Sequence, residues 1–166
     1  LLKAEIRREF KYAQSYSFDV IADQVLFTLM FFFISGVIHL LVQGAYTDVA
    51  ILLALIGFVT WRVADGCILG VIDNISEDAK VGVLEQVYLS VPLPEITLLI
   101  RGVAIFFYHS LRGILLAFVV VLLLRISLPR TPILSLVFVF GITQIGALGV
   151  AYAISGLHLV YKNTNS

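Results

Sequence analysis

Two pairs of ionisable side chains lie within otherwise apolar stretches, and their residue types and spacing could support chemistry. Arg62 and Asp65 are three residues apart, and His109 and Arg112 repeat that spacing further along. Residues three apart share a helix face, so each pair can interact, and Arg112 could also reach Asp65 across a helix interface. Because ionisable groups are costly in lipid, they indicate a hydrated translocation path, a gate between two protomers or, more simply, an interhelical ion pair.

Motifs of known enzymes are absent from the sequence. It contains no Gly-x-x-x-x-Gly-Lys-Ser/Thr phosphate loop, no His-Glu-x-x-His pair and no nucleophile elbow. The single cysteine, Cys67, excludes a disulfide framework and a zinc site built on thiolates. An intramembrane enzyme would need Asp65, His109 and His39 to converge, and nothing in their spacing requires it. We therefore expect no catalytic, metal or cofactor site in this chain.

The composition is that of a protein whose main solvent is lipid. Hydrophobic residues make up 60% of the 166 residues and charged residues only 13%, and the mean hydropathy is +1.03. A soluble domain carries roughly 25% charged residues. The formal net charge is zero, which argues against a nucleic-acid partner because such a partner needs a basic surface.

Four apolar runs are long enough to cross a bilayer, at residues 24–42, 49–72, 98–124 and 132–161. Continuous runs of this kind predict helices, since barrel strands would be short and alternating. Residues 1–22 predict an amphipathic helix at the membrane surface, with Arg7, Arg8 and Lys11 opposite its apolar face. The sequence thus predicts an all-α integral membrane protein whose residues 1–166 form a single transmembrane domain.

The positive charges predict the orientation of the spans. One side of the membrane would carry seven lysines and arginines and the other only Arg125 and Arg130. Positive charge accumulates on the cytoplasmic side, so both termini and the loop between the second and third spans are expected there. The seven residues are Lys3, Arg7, Arg8, Lys11, Lys80, Arg101 and Lys162.

Residues 73–95 form a charged, amphipathic segment between the second and third spans. Asp73 or Asn74 could cap a helix, and Glu77 follows Asn74 at capping-box spacing. The helix should end before Pro92, which predicts a cytoplasmic surface helix over residues 74–91. Such a helix needs a protein partner or the membrane surface to persist, so it is either a docking device or an interfacial anchor of the loop.

Residues 77–102, EDAKVGVLEQVYLSVPLPEITLLIRG, resemble the cytoplasmic loop of ABC transporter permeases of the type-2 exporter class. The resemblance includes the N-terminal helix, the first span and the closing Leu159–Thr164 segment. Val83 stands where threonine is usual, and Pro92 and Pro94 are spaced differently from the common turn. The family has six spans and this sequence has four, so the resemblance implies that the last two were lost or that the product is short. The matching residues of the loop are Gly82, Leu84, Glu85, Gln86, Leu89, Ser90 and Pro92.

The resemblance implies a permease subunit of an ATP-driven exporter in the inner membrane. It would pair with a second permease copy or homologue and rest on two ABC ATPase subunits, which would bind ATP and Mg²⁺. The surface helix would be the coupling helix that takes up their motion. An ATP-independent secondary transporter or a membrane scaffold remains the alternative, and lipid, drug, peptide and glycan cargo all stay open. The residues expected to contact the ATPase are Glu77, Asp78, Gly82, Leu84, Glu85, Gln86 and Tyr88.

Overall fold

The computed structural model describes residues 2–42, 47–90, 93–125 and 133–162, and these residues form six helices with no strand. Their bounds are α1 Leu2–Ser15, α2 Ser17–Leu41, α3 Thr47–Lys80, α4 Val83–Ser90, α5 Pro94–Leu124 and α6 Ile133–Lys162. Pro92 and Arg130, which entered the predictions, lie outside the described residues.

Four of these helices, α2, α3, α5 and α6, are long and apolar enough to cross a membrane. The predicted all-α membrane fold is therefore confirmed. At 1.5 Å per residue, α3 is roughly 51 Å long, whereas the hydrocarbon core of a bilayer is about 30 Å thick. Helix α3 is therefore longer than a bilayer core requires, and its residues 73–80 lie beyond the predicted span.

Helix α3 is the centre of the bundle, and it packs against α2, α5 and α6. Phe31 of α2, Leu55 of α3 and Val120 of α5 meet in one buried apolar cluster. A second cluster joins α3, α5 and α6 near the other end of α3. The glycines of α5 allow close approach: a Cβ on Gly113 would lie 2.6 Å from a methyl carbon of Val63.

Small residues also allow α6 to approach α3. Ala147, Ala151 and Ser155 recur every four residues and are buried, as expected where helices approach closely in lipid. Gln144 lies on the same face, one turn before Ala147, and its side-chain amide donates a 3.1 Å hydrogen bond to the carbonyl oxygen of Thr60 in α3. This face of α6 is therefore an interhelical surface.

The predicted start of the surface helix, at residue 74, was wrong, because the separate helix α4 begins at Val83. Helix α3 continues to Lys80, and Asn74 donates its side-chain amide to the carbonyl of Gly70 within α3 instead of capping a new helix. The break comes at Gly82, whose φ of +73° is left-handed backbone that glycine adopts readily and that ends helices. No glycine or proline lies between Gly70 and Gly82, so nothing interrupts α3 where the cap was expected.

The predicted N-terminal helix over residues 1–22 is also divided. Helix α1 ends at Ser15 and α2 begins at Ser17, with Tyr16 at φ −112° and ψ 37° between them. Arg8 does not point away from the bundle with Arg7 and Lys11, because its guanidinium donates a 2.8 Å hydrogen bond to the side-chain oxygen of Asn74 in α3. Helix α1 thus packs on the bundle, mainly along α5.

Candidate functional site

Three membrane-spanning helices meet at one carboxylate oxygen. Arg62 of α3 and Arg112 of α5 each place a guanidinium nitrogen 2.5 Å from Oδ2 of Asp23 in α2. Arg62 also lies 3.7 Å from Asp65, its predicted partner on the same helix face. We call Asp23, Arg62, Asp65 and Arg112 the intramembrane ion cluster. The two charges of each sign balance, which allows the cluster to persist in a poorly hydrated place.

Asp23 was missed by the sequence reasoning. The predicted first span begins at Gln24, which leaves the preceding carboxylate at the interface. The structure contradicts the proposed Arg112 to Asp65 contact across the helices, because Arg112 bonds to Asp23. The signal that could have found it is the charge count: two arginines and one aspartate inside the spans leave one positive charge without a partner.

Neighbouring side chains hold the two arginines in place. The Arg62 guanidinium carbon lies 3.9 Å from the centroid of the Phe27 ring, and Arg112 lies 5.7 Å from that of Tyr108. Such cation–π contacts stabilise a guanidinium that has left water. A small recess adjoins the cluster. It is lined by Gln24, Arg62, His109, Arg112, Gly113 and Leu116.

His109 packs tightly against Gly66 of α3, where a Cβ atom would collide with its imidazole ring. His39 is far from His109. Asp23 of α2 contacts Arg112, one turn from His109 on α5, and His39 lies 16 residues beyond Asp23 on α2, which is roughly 24 Å at 1.5 Å per residue. The convergence of Asp65, His109 and His39 that an intramembrane enzyme would require is therefore contradicted. Among the described residues, no group of three or more His, Cys, Asp or Glu side chains could hold a metal ion.

Helix α4 and the end of α3 form a mostly exposed hairpin, and we call residues 77–90 the docking segment. Leu89 is 89% exposed, Val81 68% and Tyr88 52%. Glu77 and Glu85 are exposed, whereas Leu84 and Val87 are half-buried. Large apolar side chains that stand in the open beside carboxylates are typical of a surface that another protein covers. Leu89 was matched to the family pattern but was not among the predicted contacts.

Asp78 points away from that surface and into the bundle. Its carboxylate forms an ion pair with Arg101 of α5, whose side chain is only 8% exposed. The Nε atom of Arg101 lies 3.8 Å from Glu5 of α1. We call Glu5, Asp78 and Arg101 the clamp. Its Asp78–Arg101 ion pair joins α3 to α5, the helices that precede and follow α4. Helix α4 therefore lies in a loop of the chain that this ion pair closes.

Helix α6 is attached to the same end of α5. The Tyr152 hydroxyl donates a 2.8 Å hydrogen bond to the carbonyl oxygen of Leu98, and the ring covers Gly102, where a Cβ would clash with the hydroxyl oxygen. With the clamp, this contact brings α1, α3, α5 and α6 together beside the docking segment.

A protein-family model described as CcmB protein matches residues 6–162. The chain belongs to the CcmB family. CcmB proteins are permease components of ABC transporters, and the match includes α4 and most of α1 together with the four spans. Comparisons with curated proteins and with solved structures found no match.

The family assignment confirms the coarser predictions drawn from the resemblance. A CcmB protein is a multi-pass membrane protein and a transport subunit that associates with ATPase subunits and other transporter components. The type-2 exporter class, the two further spans and the ATP–Mg²⁺ site in a partner stay predictions. So do the roles assigned to individual residues of the docking segment.

Proposed function

We propose that this CcmB-family chain is the membrane-spanning permease subunit of an ATP-driven exporter of the type-2 class, and that a partner ATPase docks on the docking segment. One observation carries the docking proposal: α4 is a separate short helix between the two longest spans, with Leu89 and Tyr88 exposed beside Glu85. A helix of eight residues does not persist alone in water, so a partner that covers its apolar side chains would stabilise it.

The positive charges support a cytoplasmic position for α1, α4 and the end of α6, in the inner membrane. ATP and Mg²⁺ are available on that side, and the partner ATPase would bind them. The exposed apolar faces of the spans leave room for a second permease copy or a homologue. The family's link to heme export favours heme as the first cargo to test.

The clamp offers a route by which α4 would move the spans. A displacement of α4 pulls on Lys80 at the end of α3 and on Pro94 at the start of α5. Because Asp78 and Arg101 join these two helices, the ends move together and the hairpin does not open. Glu5 lies within 3.8 Å of Arg101, so α1 would follow the same motion. The intramembrane ion cluster would then act as a lock that keeps α2, α3 and α5 in register.

Recovery of the ATPase with the chain from native membranes tests this proposal. We expect Glu85→Arg to abolish that recovery, or to leave ATP hydrolysis without export, because it reverses a charge beside exposed Leu89. Asp19→Arg is the matched control, since Asp19 is an exposed carboxylate at the start of α2, away from α4. It should recover the ATPase normally.

Other outcomes would overturn the proposal. If the chain is recovered without any ATPase, and its transport activity persists after ATP depletion, a secondary transporter is favoured. Recovery of transporter partners other than an ATPase, without transport activity, would favour a scaffold. If Glu85→Arg and Asp19→Arg behave alike, the docking segment is not the contact surface.

A further inference from the structure

Helix α1 carries its positive and negative charges on different faces. Lys3, Arg7 and Lys11 are four residues apart, so they lie in one row along the helix, and all three are exposed. Glu5 and Glu9 point toward the bundle, with side chains only 15% and 14% exposed. We call Lys3, Arg7 and Lys11 the cationic row.

The charges of the bundle do not neutralise this row. Among the residues that the structure describes, Lys3, Arg7 and Lys11 have no ion-pair partner. The carboxylates of α1 are engaged elsewhere: Glu5 lies near Arg8 and Arg101, and Glu9 near Arg8. The three positive charges therefore face outward together, and each adjacent pair repels at a spacing of one helical turn. An anionic surface would relieve that repulsion.

The position of α1 indicates which anionic surface is within reach. Helix α2 begins at Ser17, one residue after the break, and its first turns carry Phe18 and Ile21 with 82% and 62% exposure. Phe10 of α1 packs edge-on against Tyr108 within the α5 span, with ring centroids 6.0 Å apart. Helix α1 therefore runs alongside α5 and leads directly into α2, the first helix able to span the membrane, so the headgroups of the leaflet that α2 enters are the anionic surface within reach.

An apolar side chain beside the cationic row fits that location. Phe10 is 42% exposed and lies beside the row on the helix surface, because it follows Arg7 by three residues. A helix with exposed apolar side chains beside a row of lysines and arginines binds at the boundary between acyl chains and anionic headgroups.

We propose that the cationic row of α1 binds anionic phospholipid headgroups of the adjacent leaflet, and that this binding holds α1 against the clamp. Glu5, on the opposite face of α1, lies 3.8 Å from Arg101, and Arg8, on the side of the helix, donates a hydrogen bond to Asn74. Lipid on the outer face and these contacts on the inner face position the helix from both sides. The inference is independent of whether α4 receives an ATPase.

Native mass spectrometry of the full chain tests the inference, with phosphatidylglycerol and phosphatidylcholine of the same acyl chains as probes. We expect the chain to retain phosphatidylglycerol preferentially. A basic residue near an anionic surface contributes about 1 kcal/mol, which corresponds to roughly fivefold in affinity. Arg7→Gln should therefore weaken phosphatidylglycerol binding by roughly fivefold, and Lys3→Gln/Arg7→Gln/Lys11→Gln by up to about a hundredfold. Phosphatidylcholine binding should not change.

Two further variants separate charge from other effects. Lys3→Arg/Arg7→Lys/Lys11→Arg keeps the charges and should keep the preference. Arg125→Gln removes one exposed positive charge from the other end of α5 and should leave the preference unchanged. Because the cationic row is exposed, we expect the triple glutamine variant to retain its helical circular dichroism; the single Arg7→Gln variant provides an independent measurement.

The inference is overturned if the unaltered chain shows no preference for phosphatidylglycerol, or if the triple glutamine variant keeps that preference. It is also overturned if that variant loses the ATPase on recovery from membranes while its lipid preference is intact. The row would then be a protein contact.

Discussion

Asp23 is the residue at which one substitution tests the intramembrane ion cluster. Asp23→Asn keeps the size of the side chain and removes the negative charge between Arg62 and Arg112. The two guanidinium groups, whose side chains are 16% and 18% exposed, would then face each other with only Asp65 nearby. We expect the variant to be clearly less stable than the unaltered chain.

The magnitude follows from the contacts that are lost. Oδ2 of Asp23 accepts two charge-assisted hydrogen bonds at 2.5 Å, each worth about 1.5–3 kcal/mol. Removing one partner of a buried ion pair costs about 3–5 kcal/mol. Since the Asp23 side chain is 35% exposed, the low end of that range applies, and we expect a loss of about 3 kcal/mol in the free energy of unfolding.

Asp65→Asn is the matched control, because it removes the same charge from the same cluster. Asp65 lies 3.7 Å from Arg62, too far for a hydrogen bond, and its side chain is 37% exposed. Pairs of this kind contribute less than about 1 kcal/mol. Both free energies can be measured by reversible unfolding in mixed micelles with increasing dodecyl sulfate, followed by circular dichroism.

A double-mutant cycle identifies the partner of Arg112. The Arg112→Gln substitution should show a coupling energy with Asp23→Asn and none with Asp65→Asn. If Asp65→Asn costs as much as Asp23→Asn, or if it alone couples to Arg112→Gln, the shared contact of both arginines with Asp23 is refuted. Coupling of Arg112→Gln to Asp65→Asn alone would support the sequence-based pairing of Arg112 with Asp65.

Three further predictions concern tight or buried positions. Gly66→Ala should destabilise the chain by about 1–3 kcal/mol in the same unfolding assay, because the added methyl group would meet the His109 ring. Gly57→Ala is the control and should not destabilise the chain, because a Cβ atom at Gly57 meets nothing within 4 Å. Equal losses of stability in the two variants would contradict the packing of His109 on Gly66. Gly82→Ala should cost about 1 kcal/mol because of the φ of +73°, and unchanged stability would show that the break between α3 and α4 lies elsewhere. Cys67, fully buried, should react with maleimide only after unfolding in dodecyl sulfate; rapid labelling of the native chain would contradict its position in the core.

The spans could be predicted because hydropathy acts over a whole run of residues. A run of about 20 apolar residues requires a lipid environment, and lipid requires a helix, so the type of structure follows without any tertiary information. The end of α3 could not be placed in the same way. Asn74 carries a strong capping signal, but that signal decides a helix start only where the preceding helix has stopped, and α3 stops at Gly82.

The partners of the charged residues could be predicted only within one helix. Arg62 and Asp65 are close in sequence, so helical geometry alone brings them together. Asp23 and Arg112 are brought together by the packing of α2 against α5, which periodicity does not specify. Arg8 shows the same limit: the pattern of α1 placed it on the outer face, and contact with α3 turned its side chain inward.

The most direct test of the central claim is site-specific photocrosslinking from α4 in native membranes. A benzoylphenylalanine placed at Leu89, which is 89% exposed, should crosslink to an ABC ATPase subunit identified by mass spectrometry. The same group at Leu111, which is 46% exposed in the middle of the α5 span, should not. An ATPase captured from neither position, or equally from both, would contradict the proposal that the docking segment receives the ATPase.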